Sequence, residues 1–510
     1  MSHWIIAPVI LPALMAAVIL LLARWGITVH RVLSLASTAV IAAIAFALLA
    51  GAAEVGHESY WLGSWPPPFG IVLVLDRLSA IMVATTAVVA LASLLYAIQG
   101  WDERGANFHA LFQFQLMGLN GAFLTGDLFN LFVFFEVLLI ASYGLLLHGG
   151  GAARVRAGVH YVVINLTGSS LFLIAVAVLY GLTGTLNMAD LAVRVPQLPE
   201  ADAGLVRGAA LLLLAVFGVK AALLPLHFWL PNTYGSASAP VAALFAIMTK
   251  VGAYSILRVF TLIFGEDGGV AAMVAAPWLL PVALVTHVVG MLGALASRDL
   301  RGMTAFLVLA SMGTVVAAVG LFNLGGISAA LYYIVHSTFA TAALFLLAEI
   351  VASERGEAGD RLIPTFDLLQ PRAIGGLFLL AGIAIVGLPP LSGFVGKVLV
   401  LEGARQTPAV VWVWSVLLVM SVVALIALSR AGSVVFWKTT AGGRAPDGAV
   451  PAPAGGLAVA SALLVLTAGL AVFAGPVTAY TDAAAAHLME RTDYIRAVLG
   501  PEAVAALAPR

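Results

Sequence analysis

Charge and cysteine are what this sequence has least of. Only 9% of its 510 residues are charged, against about 25% in a soluble domain, and 62% are hydrophobic. So few charges cannot cover the surface of a soluble protein of this length, so the bilayer must surround most of it. The absence of cysteine excludes disulfides, thiolate metal sites and cysteine-ligated iron–sulfur clusters.

Motifs for cofactors and for common enzymatic chemistry are also missing. The chain has no GxxxxGK[ST] loop, no GxSxG elbow and no HExxH pair. We therefore predict no nucleotide, flavin or metal site, and a protein that is not itself an enzyme. The formal net charge is zero, with 24 basic and 24 acidic residues, which indicates no nucleic-acid partner.

Long apolar runs dominate what is present. Each is about as long as the roughly 20 residues that a membrane helix needs, and none shows the short alternating pattern of a barrel strand. The sequence therefore predicts an all-α polytopic membrane protein with about 14 transmembrane helices. The fourteen runs are approximately 4–23, 31–51, 71–98, 108–125, 128–148, 159–182, 204–232, 239–264, 272–296, 302–322, 327–350, 371–405, 409–437 and 455–475.

Two of these spans are long and interrupted by proline. The seventh contains Pro225 and Pro231, and the twelfth contains Pro389 and Pro390. Proline breaks survive in a membrane only where protein or a water-filled cavity satisfies the freed backbone groups. Broken helices five spans apart predict two five-helix repeats, spans 4–8 and 9–13, and the odd number makes the repeats inverted.

This pattern divides the chain into four regions. We predict three N-terminal helices in 1–107, a first repeat in 108–264, a second repeat in 272–437, and a final helix with a tail in 438–510. Arginine and lysine concentrate in alternate loops, which we place in the cytoplasm. Both termini then lie on the outer face of a bacterial inner membrane. These alternate loops hold Arg24, Arg31, Arg104, Arg154, Arg156, Arg298, Arg301, Arg355, Arg361, Arg372, Arg430, Lys438 and Arg444.

Titratable side chains inside the apolar spans carry the functional prediction. Three of the four lysines, Lys220, Lys250 and Lys397, lie within spans, where a charged residue costs about 2.5–3.5 kcal/mol at the helix centre. Glu136 is the one centrally placed acid, and we predict Lys220 as its partner. His336 adds an imidazole, which exchanges protons near neutral pH. Lysine suits such a relay because its charge can be switched, unlike that of arginine.

Structural roles for the same residues remain open at this point. Glu136 could form a structural ion pair, and Lys220 and Lys397 could cap carbonyls freed by the helix breaks. Lys250 could reach toward the membrane interface, and His336 could be a packing residue. Asp76 and Arg77, adjacent near the start of a span, are expected to form a local pair.

Several stretches resemble the antiporter-like subunits shared by respiratory complex I and Mrp-type (Mnh, Pha) multisubunit cation/proton antiporters, most closely the D-type subunits of the latter. They are FFEVLLIASYGLLLHG, VKAALLPLHFWLPNTYGSASAPVAALFAIMTKVGAYSILR, RDLRGMTAFLVLASMG, HSTFATAALFLLAE and GLPPLSGFVGKVLVLEGA. The resemblance covers roughly residues 70–440 and implies a fourteen-helix fold with two inverted repeats.

The resemblance also implies a role for each intramembrane residue. Glu136 matches the fifth-helix glutamate, Lys220 the seventh-helix lysine, Lys250 the eighth-helix lysine, His336 the eleventh-helix histidine and Lys397 the twelfth-helix lysine. Many relatives carry another lysine shortly after the histidine, where this chain has Ala340 and Thr341.

The predicted function is that of a proton-translocating subunit in a hetero-oligomeric membrane complex that exchanges Na⁺ or K⁺ for protons. The expected partners are other subunits of that complex, protons, monovalent cations and the lipid bilayer. The alternative is a proton-pumping subunit of respiratory complex I or a membrane-bound hydrogenase, holding no redox centre itself. A structural membrane scaffold is a third class, against which three intramembrane lysines argue.

Overall fold

The computed structural model describes residues 2–438 and 451–505. Within these residues the protein is almost entirely helical, and twelve helices are long and apolar enough to cross a membrane. The prediction of an all-α polytopic membrane protein is therefore confirmed at this level. Arg444 and most of the predicted connection 438–454 lie outside the described residues.

The N-terminal region contains three helices and one small sheet. The helices are α1 (Ser2–Leu21), α2 (Ile27–Val55) and α3 (Arg77–Ala97). Strands β1 (Glu58–Trp61) and β2 (Val72–Leu75) pair antiparallel between α2 and α3. The predicted span 71–98 is therefore wrong at its start, because residues 72–75 form a strand and α3 begins only after the capping residue Asp76.

The next group of helices contains the first break. Its members are α4 (Phe108–Leu124), α5 (Leu128–Leu147), α6 (Ala152–Thr183), α7 (Met188–Arg194), α8 (Ala203–Lys220), α9 (Trp229–Ser236) and α10 (Ala239–Leu262). The predicted seventh span separates into α8 and α9, with a non-helical stretch at 221–228. Pro225 lies in that stretch, whereas Pro231 lies inside α9.

The following group contains the second break. It comprises α11 (Ala276–Ala296), α12 (Leu300–Val319), α13 (Leu324–Glu354), α14 (Pro371–Val386), α15 (Ser392–Ala404) and α16 (Val410–Gly432), which a π-helical turn extends to Trp437. Pro389 and Pro390 lie between α14 and α15, so the second break falls where proline predicts it. Gly393 lies within α15.

Four further helices end the described chain: α17 (Ala454–Val472), α18 (Ala474–Met489), α19 (Arg491–Leu499) and α20 (Pro501–Ala505). Helix α18 packs against α13 and α3, and α19 packs against α7. The C-terminal helices therefore contact each of the three regions that precede them in the chain.

Burial separates inner from outer helices. In α10, α12 and α13 nearly all residues of the membrane-crossing stretch are buried, whereas about two thirds of those in α1, α2, α16 and α17 are not. Outer helices with exposed apolar residues suit contact with lipid or with another membrane protein. The inner helices include those that carry Lys250 and His336, so both side chains lie deep inside the protein.

Candidate proton-transfer site

Glu136 lies in the middle of α5. The helix starts at the capping residue Asp127, whose side chain accepts a hydrogen bond from the Asn130 amide at 2.8 Å. At 1.5 Å per residue, Glu136 lies about 13 Å further along the helix, near the middle of a hydrocarbon core of about 30 Å. Its Oε1 accepts a short hydrogen bond from the Ser169 hydroxyl of α6.

The carboxylate of Glu136 is not sealed inside this chain. The residue is half-buried, and Val133 and Ile140, one turn to either side on the same face of α5, are 37% and 65% exposed. Residues three and four apart share one face of a helix, so Glu136 lies at the edge of an exposed apolar stripe.

Lys220 is the last residue of α8 and is buried. Its Nζ donates to Oδ1 of Asn165 at 3.1 Å and lies 5.4 Å from the centre of the Phe135 ring. Asn165 and Ser169 are one turn apart on α6. Glu136 and Lys220 therefore form no direct ion pair; each binds an adjacent polar residue of α6.

The break after Lys220 is held by side chains from neighbouring elements. The Leu224 amide donates to the Thr286 hydroxyl of α11 at 2.9 Å, and the Trp229 indole donates to the Val219 carbonyl at 3.1 Å. Backbone groups freed by the break are thus satisfied by protein, as the membrane requires.

Gly252 brings α10 against this break. A Cβ there would lie 2.4 Å from the Ala221 nitrogen, so a larger residue would force the two elements apart. Beside Lys220 lies a cavity of about 10 Å³ lined by Asn165, Met248 and Val251, among others. That volume is close to the minimum needed for one water molecule. Met248 and Val251 lie on α10, the helix that also carries Lys250, but Lys250 itself does not line the cavity.

Lys250 is completely buried in α10, about 16 Å from the start of that helix. Its Nζ donates to the Ser311 hydroxyl of α12 across 3.4 Å, which is long for a hydrogen bond. Ser311 also donates to the Val308 carbonyl at 2.7 Å. Lys250 therefore has one weak partner within the described part of the chain and no carboxylate to neutralise it.

His336 lies in the middle of α13 and is 1% exposed. Its Nδ1 is 2.8 Å from the hydroxyl of Ser392, the first residue of α15. Because Gly393 has no side chain, the start of α15 can lie close to both α14 and His336. A Cβ at this position would lie 1.9 Å from the Ala384 carbonyl oxygen and 3.0 Å from His336 Cε1. Lys397 lies one turn after Gly393 on α15, the helix that begins at this contact with His336.

Lys397 joins α14, α15 and α16. Its Nζ donates to the Val386 carbonyl at 2.7 Å and to the Ser421 hydroxyl at 2.8 Å. Val386 ends α14, so Lys397 satisfies a carbonyl freed by the second break, one of the structural roles that the sequence leaves open. Lys220 contacts a side chain instead, and the two broken helices therefore use their lysines differently.

These five residues share one type of environment. Each contacts a hydroxyl or amide side chain on a neighbouring helix or helix segment, and all lie well inside the spans. Hydroxyls both donate and accept hydrogen bonds, and amides offer both functions, so such partners can hold either protonation state of an amine or imidazole. The described residues contain no cluster of three metal-ligating side chains.

The polar partners of these five residues are what sequence reasoning missed. They are Asn165, Ser169, Ser311, Ser392 and Ser421. Their only signal in the sequence is that each is a polar residue within or beside an apolar run.

Asp76 does not pair with Arg77, so that expectation is wrong. Asp76 instead binds the buried Arg258 of α10, with oxygen–nitrogen distances of 2.6 and 2.8 Å. Burial alone would raise the pKa of Asp76, but the Arg258 guanidinium, together with His57 and the Ser79 amide, outweighs burial and lowers that pKa to about 2. Arg77 contacts His487 at 2.9 Å and the Ala53 carbonyl at 2.6 Å.

A polytopic helical protein with buried amines, an imidazole and a carboxylate at mid-depth, arranged around two broken helices, falls in the class of ion-translocating membrane proteins. The sequence profile described as NADH:quinone oxidoreductase/Mrp antiporter, TM, matches residues 125–426. The chain belongs to this family.

Relatives match along almost the whole chain. The D subunit of a probable K(+)/H(+) antiporter from Rhizobium meliloti (strain 1021) is 40% identical, over 98% of both chains. The D subunit of a Na(+)/H(+) antiporter from Bacillus subtilis (strain 168) is 35% identical, over 98% of this chain and 100% of its own. A chain in the structure of the Mrp complex from Dietzia sp. DQ12-45-1b superposes with a TM-score of 0.88 at 28% identity, over 98% and 100% of the two chains.

Proposed function

We propose that this chain is the D-type component of a multisubunit monovalent cation/proton antiporter, and that protons cross it through Glu136, Lys220, Lys250, His336 and Lys397. The observation that carries the proposal is the surroundings of Lys250, an amine at mid-depth that has one weak hydrogen bond and no counter-charge from residues 2–438 and 451–505. A buried charge without a counter-charge is costly, and an ionisable residue inside a membrane indicates function by default.

Transfer in this proposal begins at the Glu136–Lys220 couple. The Glu136 carboxylate lies on the helix beside Lys220, and a nearby opposite charge favours the charged form of an amine. When that interaction weakens, Nζ of Lys220 releases its proton through a water in the adjoining cavity toward Nζ of Lys250. The proton then passes to the His336 imidazole, and from there to Nζ of Lys397 and the far side.

The proposed architecture has fourteen spans and two inverted five-helix repeats. Counting α4 and the α14–α15 pair with the twelve apolar helices gives fourteen. The breaks between α8 and α9 and between α14 and α15 fall at the fourth span of each proposed repeat. We place both termini on the outer face of a bacterial inner membrane, because the arginine-rich loops then face the cytoplasm.

Other subunits are the proposed partners of the α5 face. Glu136 is half-buried beside exposed Val133 and Ile140, and lipid cannot satisfy a carboxylate at this depth. A neighbouring subunit would cover the stripe and supply a polar contact. The exchanged cation is Na⁺ or K⁺, the two ions named for the relatives.

The alternative assignment, to complex I or a membrane-bound hydrogenase, draws support from the family description, which names NADH:quinone oxidoreductase beside the Mrp antiporter. Two relatives that match 98% of this chain are named as antiporter subunits, which favours the antiporter.

Glu136→Gln in the complete complex tests the proposal. Everted membrane vesicles should lose Na⁺-, K⁺- and Li⁺-dependent collapse of the pH gradient, with assembly unchanged. Glu402→Gln is the matched control, because Glu402 is an exposed acid paired only with Arg405 within the described chain. Undiminished exchange by an assembled Glu136→Gln complex would overturn the proposed path.

A further inference from the structure

An apolar cavity lies between α13 and four other helices, and its lining includes none of Glu136, Lys220, Lys250, His336 and Lys397. It has a volume of about 510 Å³ and is lined by residues of α2, α3, α13, α17 and α18. Val335 and Phe339, which line it, lie on either side of His336 in the sequence. Phe46 and Phe473 on its rim are 52% and 63% exposed, so the cavity opens at the surface of the helical bundle.

The helices that form the cavity walls converge on one arginine. Ile81 and Tyr480 line the cavity. Arg77 is one turn before Ile81 on α3, and His487 is two turns after Tyr480 on α18. Arg77 binds His487 at 2.9 Å and the Ala53 carbonyl of α2 at 2.6 Å. The Tyr480 hydroxyl donates to the Arg77 carbonyl at 3.3 Å. Arg77 therefore lies one helical turn beyond the end of the cavity that Ile81 and Tyr480 line.

Arg77 also keeps an unbalanced positive charge at the membrane surface. It is the first residue of a membrane-crossing helix, and it makes no ion pair with a carboxylate among the described residues. Its neighbour does not share the charge, because burial and the Arg77 cation lower the pKa of His487 and favour the neutral imidazole. The guanidinium retains N–H groups suited to phosphate oxygens.

We propose that this cavity binds an anionic phospholipid, with an acyl chain between α3, α13 and α17 and the phosphate at Arg77. A long apolar cavity open to the bilayer suits an acyl chain, and the guanidinium at the depth of the span end suits the headgroup. The bound lipid would cover the outer side of the helix segment that carries His336.

Gly469 offers a way to fill the cavity without disturbing the fold. It lies on α17 and lines the cavity, and a Cβ there would meet nothing within 4 Å. Gly469→Leu would therefore extend into the space of the acyl chain. Gly181→Leu on α6 is the matched control, because Gly181 is equally open but does not line the cavity. Arg77→Gln tests the headgroup, with Arg207→Gln as its control.

The probe is phosphatidylglycerol with a photoactivatable group on its acyl chain, mixed into phosphatidylcholine vesicles that hold the complete complex. After illumination, label should concentrate on peptides containing 81–88 and 466–480. Gly469→Leu should lower that label about tenfold, since the leucine side chain would displace about two methylenes of the acyl chain. Arg77→Gln should lower the preference over labelled phosphatidylcholine about fivefold.

Three results would overturn the proposal. Equal label in the assembled Gly469→Leu and Gly181→Leu complexes would show that the cavity holds no acyl chain. An unchanged preference for phosphatidylglycerol in the Arg77→Gln complex would show that Arg77 does not bind the anionic headgroup. Cross-linking of another subunit by benzoylphenylalanine in place of Phe473, without lipid label, would show that a protein helix occupies the cavity.

Discussion

Replacing Lys250 by methionine should separate the function of this residue from its contribution to stability. The amine is completely buried and makes one hydrogen bond, at 3.4 Å. A bond that long contributes at most about 1 kcal/mol, whereas a charged group at the helix centre costs about 2.5–3.5 kcal/mol. Methionine is similar in length and apolar, so Lys250→Met should stabilise the protein by about 2 kcal/mol and yet abolish proton transport.

The substitution leaves no new polar group without a partner. The Ser311 hydroxyl keeps its hydrogen bond to the Val308 carbonyl at 2.7 Å. Thermal inactivation of the solubilised complex, followed by size-exclusion chromatography, measures the stability change, and pH-gradient collapse in vesicles measures transport. Lys438→Met is the control, because Lys438 is exposed at the end of the π-helical turn that follows α16. A destabilised complex that still transports would refute this reasoning and favour a structural role for Lys250.

Three further predictions concern other parts of the structure. Ser169→Ala removes the donor to Glu136 and should slow exchange about tenfold, with rescue by threonine, since a hydrogen bond to a charged group contributes about 1.5–3 kcal/mol. Asp76→Asn breaks the buried pair with Arg258 and should cost about 3–5 kcal/mol in unfolding assays. The lowered pKa of Asp76 stabilises the wild type above about pH 4, and this contribution should be lost as the pH falls toward 2 in acid titrations of the wild type but not the variant. Hydroxyl-radical footprinting should oxidise Met248, which lines the cavity beside Lys220, faster than Met303, which is also buried; equal rates would argue against internal water there.

The positions of the five proposed proton-transfer residues were the most predictable part of the candidate site. Glu136, Lys250 and His336 stand in the middle of long apolar runs, and such runs become membrane helices because lipid leaves the backbone no other hydrogen-bonding solution. The position of a residue within an apolar run therefore predicts its depth in the membrane. The helix breaks were predictable for a similar reason, since proline removes a backbone donor wherever it lies.

The partners of these residues could not be predicted in the same way. Serine or threonine in a membrane helix commonly bonds its own backbone one turn back, as Thr167 does with the Val163 carbonyl. Nothing in the local sequence distinguishes Thr167 from Ser169, which points to Glu136. The distinction depends on how α6 is rotated against α5, which is a property of tertiary packing.

Long-range pairing explains the two corrected expectations. Asp76 and Arg258 are 182 residues apart, so adjacency favoured Arg77 as the partner. Residues 72–75 are apolar, and only Asp76 and Arg77 separate them from the apolar part of α3, so the run reads as one helix. Their pairing with 58–61 decides in favour of a strand, and a short apolar run cannot by itself distinguish the two.

The central claim is that protons cross this chain through its buried amines, and Lys220 tests it most directly. Purified complete complex in liposomes, with a pH-sensitive dye inside and an imposed Na⁺ or K⁺ gradient, reports exchange without other transporters. We predict that Lys220→Met stops the internal pH change while Lys438→Met leaves it intact. A pH change at the wild-type rate in an assembled Lys220→Met complex would contradict the account.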